Sequence, residues 1–351
     1  MEIGTERNQM LDLMLRPAFW VEEGVIRHIN TAAASLLLSE GMAVEGLISS
    51  ALEEYAQLSE GSLHLQLCIG GQQMGATVVY QEGGQLFLPD TLDASAQLQS
   101  LSLTAMQLRE PLSGLMAINE HILPSADPEY AAMANRRQHQ LLRIIGNMSD
   151  AAQYADPDRC RKEYTEVCGF LEELLEKAEG LMHHIGIRIE SNIPRESIYT
   201  LIDREQLERA VYNLLSNAAK FGQSKGNIQV RLVRRGQKLY LSVQSSGNSS
   251  AAGSFYDRFL REPTLEDPTR GVGLGMVLIR SVAANHGGAV LVDHPDAEHT
   301  RITLSLAICH GKGDLVRSPV LRLDYAGERD HSLIELSDVL PSSAYESKKI
   351  N

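Results

Sequence analysis

Two long segments with apolar stripes flank Pro124-Ser-Ala-Asp-Pro128, and this restricts the middle of the chain to a helical hairpin. Leu98, Leu101, Met106, Leu108, Leu112, Leu115 and Ile118 recur at three-to-four spacing, which gives a helix beginning near Asp93 one apolar face. Pro89-Asp-Thr-Leu-Asp93 breaks the preceding strand and supplies a cap. A second helix is expected from about Glu129 to Tyr154, with Leu141, Leu142, Ile144, Ile145 and Met148 along it. Helices joined by so short a turn lie antiparallel. A lone hairpin cannot bury its stripe on both sides, so a dimeric four-helix bundle with a second copy is expected.

Residues 10 to 88 alternate short strand-like and helical segments. Pro17 to Val21 and Gly24 to Ile29 have hairpin character, and Asn30 can cap an alanine-rich helix reaching Leu38. Strands are expected at Leu63 to Ile69 and Ala76 to Tyr80, around Gly70-Gly71. After a linker at Asp156 to Arg159, Val167 to Leu181, Arg204 to Phe221 and Met276 to His286 read as helices. Ile185 to Ser191, Ile228 to Val233, Leu239 to Val243, Ala289 to Val292 and Arg301 to Ala307 read as strands. The sum is helices layered on a mixed sheet.

Four sets of residues carry a family resemblance. Leu103-Thr-Ala-Met-Gln-Leu-Arg-Glu-Pro-Leu112 resembles the H-box of sensor histidine kinases, S-H-E-L-R-T-P-L, through Leu108, Arg109, Pro111 and Leu112. Leu207-Glu-Arg-Ala-Val-Tyr-Asn-Leu-Leu-Ser-Asn-Ala-Ala-Lys-Phe221 resembles the N-box. Arg270-Gly-Val-Gly-Leu-Gly-Met-Val-Leu-Ile-Arg280, followed by Ser281 to Gly288 with its closing H-G-G, resembles the glycine box, and Phe255 to Arg261 the F-box. The N-terminal order, with Asn30-Thr-Ala-Ala33 after a strand pair, resembles a PAS sensor domain; a small α+β domain without a ligand is the other reading. The resemblance implies an α+β multidomain chain. It would comprise a PAS-like sensor domain at 1–88, the dimerising hairpin at 89–156 and an α/β sandwich ATPase domain at 160–310, of the histidine kinase, gyrase and heat-shock chaperone type. A tail at 311–351 is left over.

By that resemblance ATP and Mg²⁺ are the cofactors. Asn213, Asn217 and Lys220 share one helical face by their four- and three-residue spacing. Asn217 would give an amide oxygen to Mg²⁺ with Asn213 assisting, and Lys220 would meet a phosphate. Gly271, Gly273 and Gly275 would present backbone N–H groups to phosphate oxygens at a helix N-terminus.

The departures from the family pattern decide the expected activity. Met106 stands at the phosphoacceptor histidine's position, and a thioether has no ring nitrogen to attack phosphorus. Gln107 replaces the acid that polarises the imidazole, and Glu110 replaces the residue that orients hydrolytic water. Ser245-Ser-Gly-Asn-Ser249 stands where the family has D-x-G-x-G, so Ser245 replaces the adenine-binding aspartate, Gly247 is kept and Ser249 replaces a glycine. Losing a charge-assisted bond there costs on the order of 1–3 kcal/mol, roughly one to two decades of affinity. His121 and His139 are read as solvent-facing structural histidines, and His183-His184 as a helix end.

The chain has 32 basic and 45 acidic side chains, a formal charge of -13, which argues against a general nucleic-acid or anionic-membrane binder. Cys68, Cys160, Cys168 and Cys309 lack C-x-x-C spacing and read as reduced thiols, and no apolar run suggests a span. The expectation is a cytoplasmic, homodimeric pseudokinase of two-component type with weakened ATP binding, partnered by a response regulator or another kinase. An active kinase using a substitute histidine or acting in trans, and a scaffold or anti-sigma-like regulator, are the alternatives. The tail, with a strand at Val320 to Leu323, a turn at Ala326 to Asp330 and a helix at Ser332 to Leu340, would pack on the ATPase domain or bind a partner.

Overall fold

The computed structural model describes residues 2–90, 92–222, 226–246, 274–296, 298–309 and 330–346. The N-terminal unit contains α1 (Glu2–Asp12), β1 (Phe19–Glu22), β2 (Val25–Ile29), α2 (Thr31–Ala34), α3 (Leu52–Ala56), β3 (Ser62–Ile69), β4 (Gln72–Gln81) and β5 (Gly84–Pro89). Its strands are antiparallel in the order β2-β1-β5-β4-β3. Gly70 and Gly71, at φ 58° and 82°, make the two-residue β3–β4 turn whose left-handed positions match the twist of the strands. The helix expected to reach Leu38 stops at Ala34, because the chain passes through a left-handed Leu37 at φ 61° and Leu38 turns into the core.

Asn30 does more than cap α2. Its Oδ1 accepts from Ala33 N at 2.8 Å and Ala18 N at 3.1 Å, while Nδ2 donates to the carbonyls of Leu11, Met14 and Arg16. This fully buried amide fastens the segment after α1 to the sheet. Asn30→Ala is expected to cost about 2 kcal/mol, since buried backbone groups lose their partners together. Urea unfolding of the full chain measures it, and a loss under half a kcal/mol would remove the amide from that role.

The hairpin is α4 (Leu92–Ile122) and α5 (Pro128–Tyr154), with Asp127 capping α5 by accepting from Glu129 N at 2.9 Å. The single apolar stripe read from the sequence divides in two. Leu98, Leu101, Ala105, Leu112 and Met116 face the core, whereas Leu108, Leu115, Ile118 and Ile122 form a neighbouring exposed strip. At about 100° per residue, Met106 lies on the side of α4 roughly opposite Leu115.

Beyond the linker come β6 (Glu163–Glu166), α6 (Val167–Met182), β7 (Arg188–Asn192), β8 (Tyr199–Ile202), α7 (Arg204–Phe221), β9 (Asn227–Arg235) and β10 (Lys238–Ser246). Then follow α8 (Leu274–Asn285), β11 (Val290–Asp296), β12 (His299–Ala307) and α9 (His331–Glu335). The small β6–β8 sheet was not legible in the sequence. The strands run β11-β12-β10-β9-β7, antiparallel except for the parallel β7–β9 pair. Among the described residues no helix is long and apolar enough to cross a membrane.

The two sheets are one. β3 pairs antiparallel with β11, Leu63 opposite Leu291, giving a continuous ten-stranded sheet that covers two otherwise open edges. Gly61 sits at the seam with φ +72°, where a Cβ would stand 2.1 Å from the Val292 carbonyl oxygen. Buried Glu54 of α3 crosses it, accepting from Lys238 Nζ at 2.7 Å and Ser305 Oγ at 2.8 Å. The helix expected over Ser332 to Leu340 is helical only to Glu335, and the chain then turns to a 3-10 segment at Ser342–Tyr345. The strand expected at Val320 to Leu323, and the turn at Ala326 to Asp330 up to its last residue, lie outside the described residues.

Candidate functional site

Helix α7 organises the site. Asp203 caps it, accepting from Gln206 N at 3.2 Å, and the Asp203 N–H donates to His286 Nε2 at 2.9 Å. His286 Nδ1 lies 2.7 Å from the Val282 carbonyl, so these partners require a neutral ring with the proton on Nδ1. Burial pushes the same imidazole below its ordinary pKa, against the bond to Val282. The histidine after α8 therefore holds the start of α7.

Leu207, Ala210, Val211, Leu214 and Leu215 bury one face of α7. The other face presents Asn213, fully buried, with Asn217 and Lys220 half-buried further along. Asn213 Nδ2 donates to the Arg209 carbonyl at 2.8 Å, which aims Oδ1 away from the helix. Gly275, at the start of α8, lies against that amide: a Cβ there would meet Asn213 Oδ1 at 2.8 Å. The structure thus brings together one predicted asparagine and one predicted glycine. Ser245 is buried on β10, opposite Ile228 and Thr300. It neighbours the C-terminal end of α7, where a Cβ on Gly222 would stand 3.5 Å from its own Cβ. Gly247, Ser249, Gly271, Gly273 and the segment Phe255 to Arg261 lie outside the described residues.

Five charged residues with no role assigned from the sequence complete the neighbourhood: Arg143, Asp150, Arg209, Glu335 and Asp338. Arg143, on α5, donates to Asn213 Oδ1 at 3.3 Å and pairs with Asp338. Arg209, one turn before Asn213, pairs with Asp150 and Glu335. Asp338 also accepts from Lys220 Nζ at 2.5 Å. Burial pushes the Lys220 amine below its ordinary pKa, opposed by that bond, and pushes the Glu335 carboxyl up, opposed by Arg209 and Arg143. No local pattern signals partners separated by 59 to 195 residues; they are juxtaposed only by folding.

On the hairpin, Met106 is exposed on α4, with Gln107 and Glu110 also exposed. His121 is exposed as expected. His139 is not solvent-facing: it is buried, with Nδ1 2.7 Å from the Asn135 carbonyl and its ring 4.9 Å from that of Tyr345. The tail covers it, a contact invisible in the sequence. His183 and His184 lie in a 3-10 turn ending α6. Among the described residues no group of three His, Cys, Asp or Glu is placed to hold a metal ion, and the four cysteines are free.

The sequence profile of the family described as "Histidine kinase-, DNA gyrase B-, and HSP90-like ATPase" matches residues 202–309, which contain α7, the described part of the glycine segment and β9 to β12. Sensor histidine kinase WalK of Bacillus subtilis (strain 168) is 21% identical over 213 residues, covering 57% of this chain and 35% of WalK. Adaptive-response sensory kinase SasA of Synechococcus sp. (strain CC9902) is 24% identical over 225 residues, covering 62% of this chain and 58% of SasA. The chain thus spans less than two thirds of the length of either relative. Among solved structures, full-length ShkA in complex with AMPPNP superposes with a TM-score of 0.48 at 20% identity, covering 61% of this chain and 47% of ShkA.

Proposed function

The chain is a member of the histidine kinase family with an ATPase-type domain at residues 202–309, and from that premise we propose a signalling pseudokinase of two-component type. The observation that carries the reading is Met106. It occupies the acceptor position of the H-box on an exposed helix face, and its sulfur cannot form a phosphoramidate. Gln107 and Glu110 beside it supply neither of the usual aids to phosphotransfer and hydrolysis.

The α7 side chains fit Mg-ATP by their chemistry. Amide oxygens of Asn213 and Asn217 suit a hard cation, and the Lys220 ammonium suits a phosphate. When bound, the nucleotide would supply a transferable phosphoryl group. Gly275 leaves room beside Asn213, and Ser245 offers a neutral hydroxyl in place of the usual carboxylate, which favours weakened binding. The exposed strip Leu108, Leu115, Ile118 and Ile122 supports pairing of two hairpins into a homodimer, and the β2-β1-β5-β4-β3 order supports a PAS-like sensor unit. In this reading the signal passes through the hairpins to a response regulator or a partner kinase. The retained asparagines and lysine favour a second reading, a kinase that phosphorylates a partner's hairpin in trans.

The test is incubation of the purified full chain with Mg-ATP labelled on the γ-phosphate. No phosphohistidine is expected on any of its own histidines, His121 and His139 included. Label on one of them would overturn the pseudokinase reading.

A further inference from the structure

Residues 330–346 are joined to the rest of the molecule where the nucleotide reading needs open space. Leu333, Ile334, Leu336, Leu340 and Tyr345 are buried in the same apolar core as α5, α6 and α7. Asp330 caps the segment by accepting from Ser332 N at 2.9 Å, and the Tyr345 hydroxyl donates to the Leu333 carbonyl at 2.7 Å, so the segment folds back on itself. On the α5 side, Asn135 Nδ2 donates to the Tyr345 carbonyl at 3.1 Å, and Gln140 Nε2 to the Ser337 carbonyl at 3.1 Å. The Tyr345 ring closes over His139.

Asp338 is shared by Lys220 and Arg143, the first of which stands where a phosphate contact is expected. Arg143 in turn occupies Asn213 Oδ1, the amide oxygen expected near Mg²⁺. A carboxylate with two cations is a small anion held as a phosphate oxygen would be held. We propose that residues 330–346 act as a tethered anionic ligand of the α7 face, so that the docked tail and Mg-ATP exclude one another and the tail must leave before nucleotide binds. This deepens the nucleotide-site reading and rests on it.

The device is releasable for physical reasons. A tethered segment competes through its effective concentration and not through intrinsic tightness. Nucleotide then meets an affinity reduced by the fraction of molecules whose tail is undocked. Asp338 sits at the edge of the cluster, 22% exposed, whereas Glu335 is 1% exposed, so the outer carboxylate can give way first. Release would also uncover the first half of α5, coupling the nucleotide site to the hairpin.

The experiment titrates Mg-ATP into three full-length proteins by calorimetry, the wild type, Asp338→Asn and Tyr345→Ala, and follows amide exchange of residues 330–346. The first substitution keeps side-chain shape and removes the anion; the second loosens the tail while leaving every charge in place. With a tail docked roughly ten to one, both variants bind Mg-ATP about tenfold more tightly than wild type. Saturating nucleotide also raises exchange of 330–346 in the wild type. Equal affinities in all three proteins with unchanged exchange overturn the tail's role and leave nucleotide binding standing. No binding by any of the three at millimolar Mg-ATP overturns the nucleotide reading, and the gating role with it.

Discussion

Arg209→Ala is expected to destabilise the folded chain by about 3–5 kcal/mol, the cost of leaving buried carboxylates without their cation. The guanidinium is 4% exposed and pairs with Asp150 at 9% and Glu335 at 1%. Removing it strands Asp150 entirely among these pairs and leaves Glu335 with Arg143, whose Nε is 3.7 Å away, and the weaker field of His331. The large figure does not mean that the cluster stabilises the fold by that much. Burial of Glu335 already outweighs its two arginines in setting the direction of its pKa, so desolvation takes back much of the Coulombic gain. The discriminating comparison adds Glu335→Met to Arg209→Met. If both charges matter through one another, the double variant loses clearly less stability than the sum of the single ones in urea unfolding. Additive losses would show that Arg209 and Glu335 act separately.

Gly288→Ala is expected to cost about 3 kcal/mol or more, at the upper end of overpacking penalties, because the intruding atom meets backbone. A Cβ at Gly288 would lie 1.7 Å from the Ser305 carbonyl oxygen and 2.4 Å from its carbon. Relief requires β12 to move from the end of α8, where Ser305 N donates to the Ala289 carbonyl and Ala307 N to the His286 carbonyl. Its neighbour Gly287 is needed for another reason: it ends α8 at φ +67°, a backbone region unfavourable to residues with a Cβ. The same motion would carry Ser305 Oγ away from Glu54, so the seam between the two sheets should loosen with it. A thermal unfolding midpoint matching the wild type would show that β12 has another way to yield.

Most of the element inventory was legible locally. The turn residues Gly70-Gly71, the break at Pro124 to Pro128 and the apolar face of α7 each act within a few residues and produced the expected element, while the cap Asn30 began α2 as expected although the helix ended at Ala34 and not at Leu38. The α7 amides and lysine were legible as a face because a helix places residues three and four apart together. What failed did so where a side chain's surroundings come from elsewhere in the chain. The α4 stripe divided because its approximate spacing drifts around the helix, leaving Met106 roughly opposite Leu115, and because periodicity does not show how much of a face a neighbour covers. His139 was misjudged because Tyr345, whose ring packs against it at a tilt, is more than 200 residues away.

The sequence by itself determined the hairpin and the likeness of residues 202–309 to the ATPase family, since each rests on residue chemistry or short-range spacing. Tertiary structure alone decided that β3 and β11 join two sheets into one, that Arg143 reaches Asn213, and that Asp338 sits on Lys220. Those contacts are made by strand edges and long charged side chains whose partners are set by where the whole chain folds. A carboxylate carries no local mark of the cation it will meet.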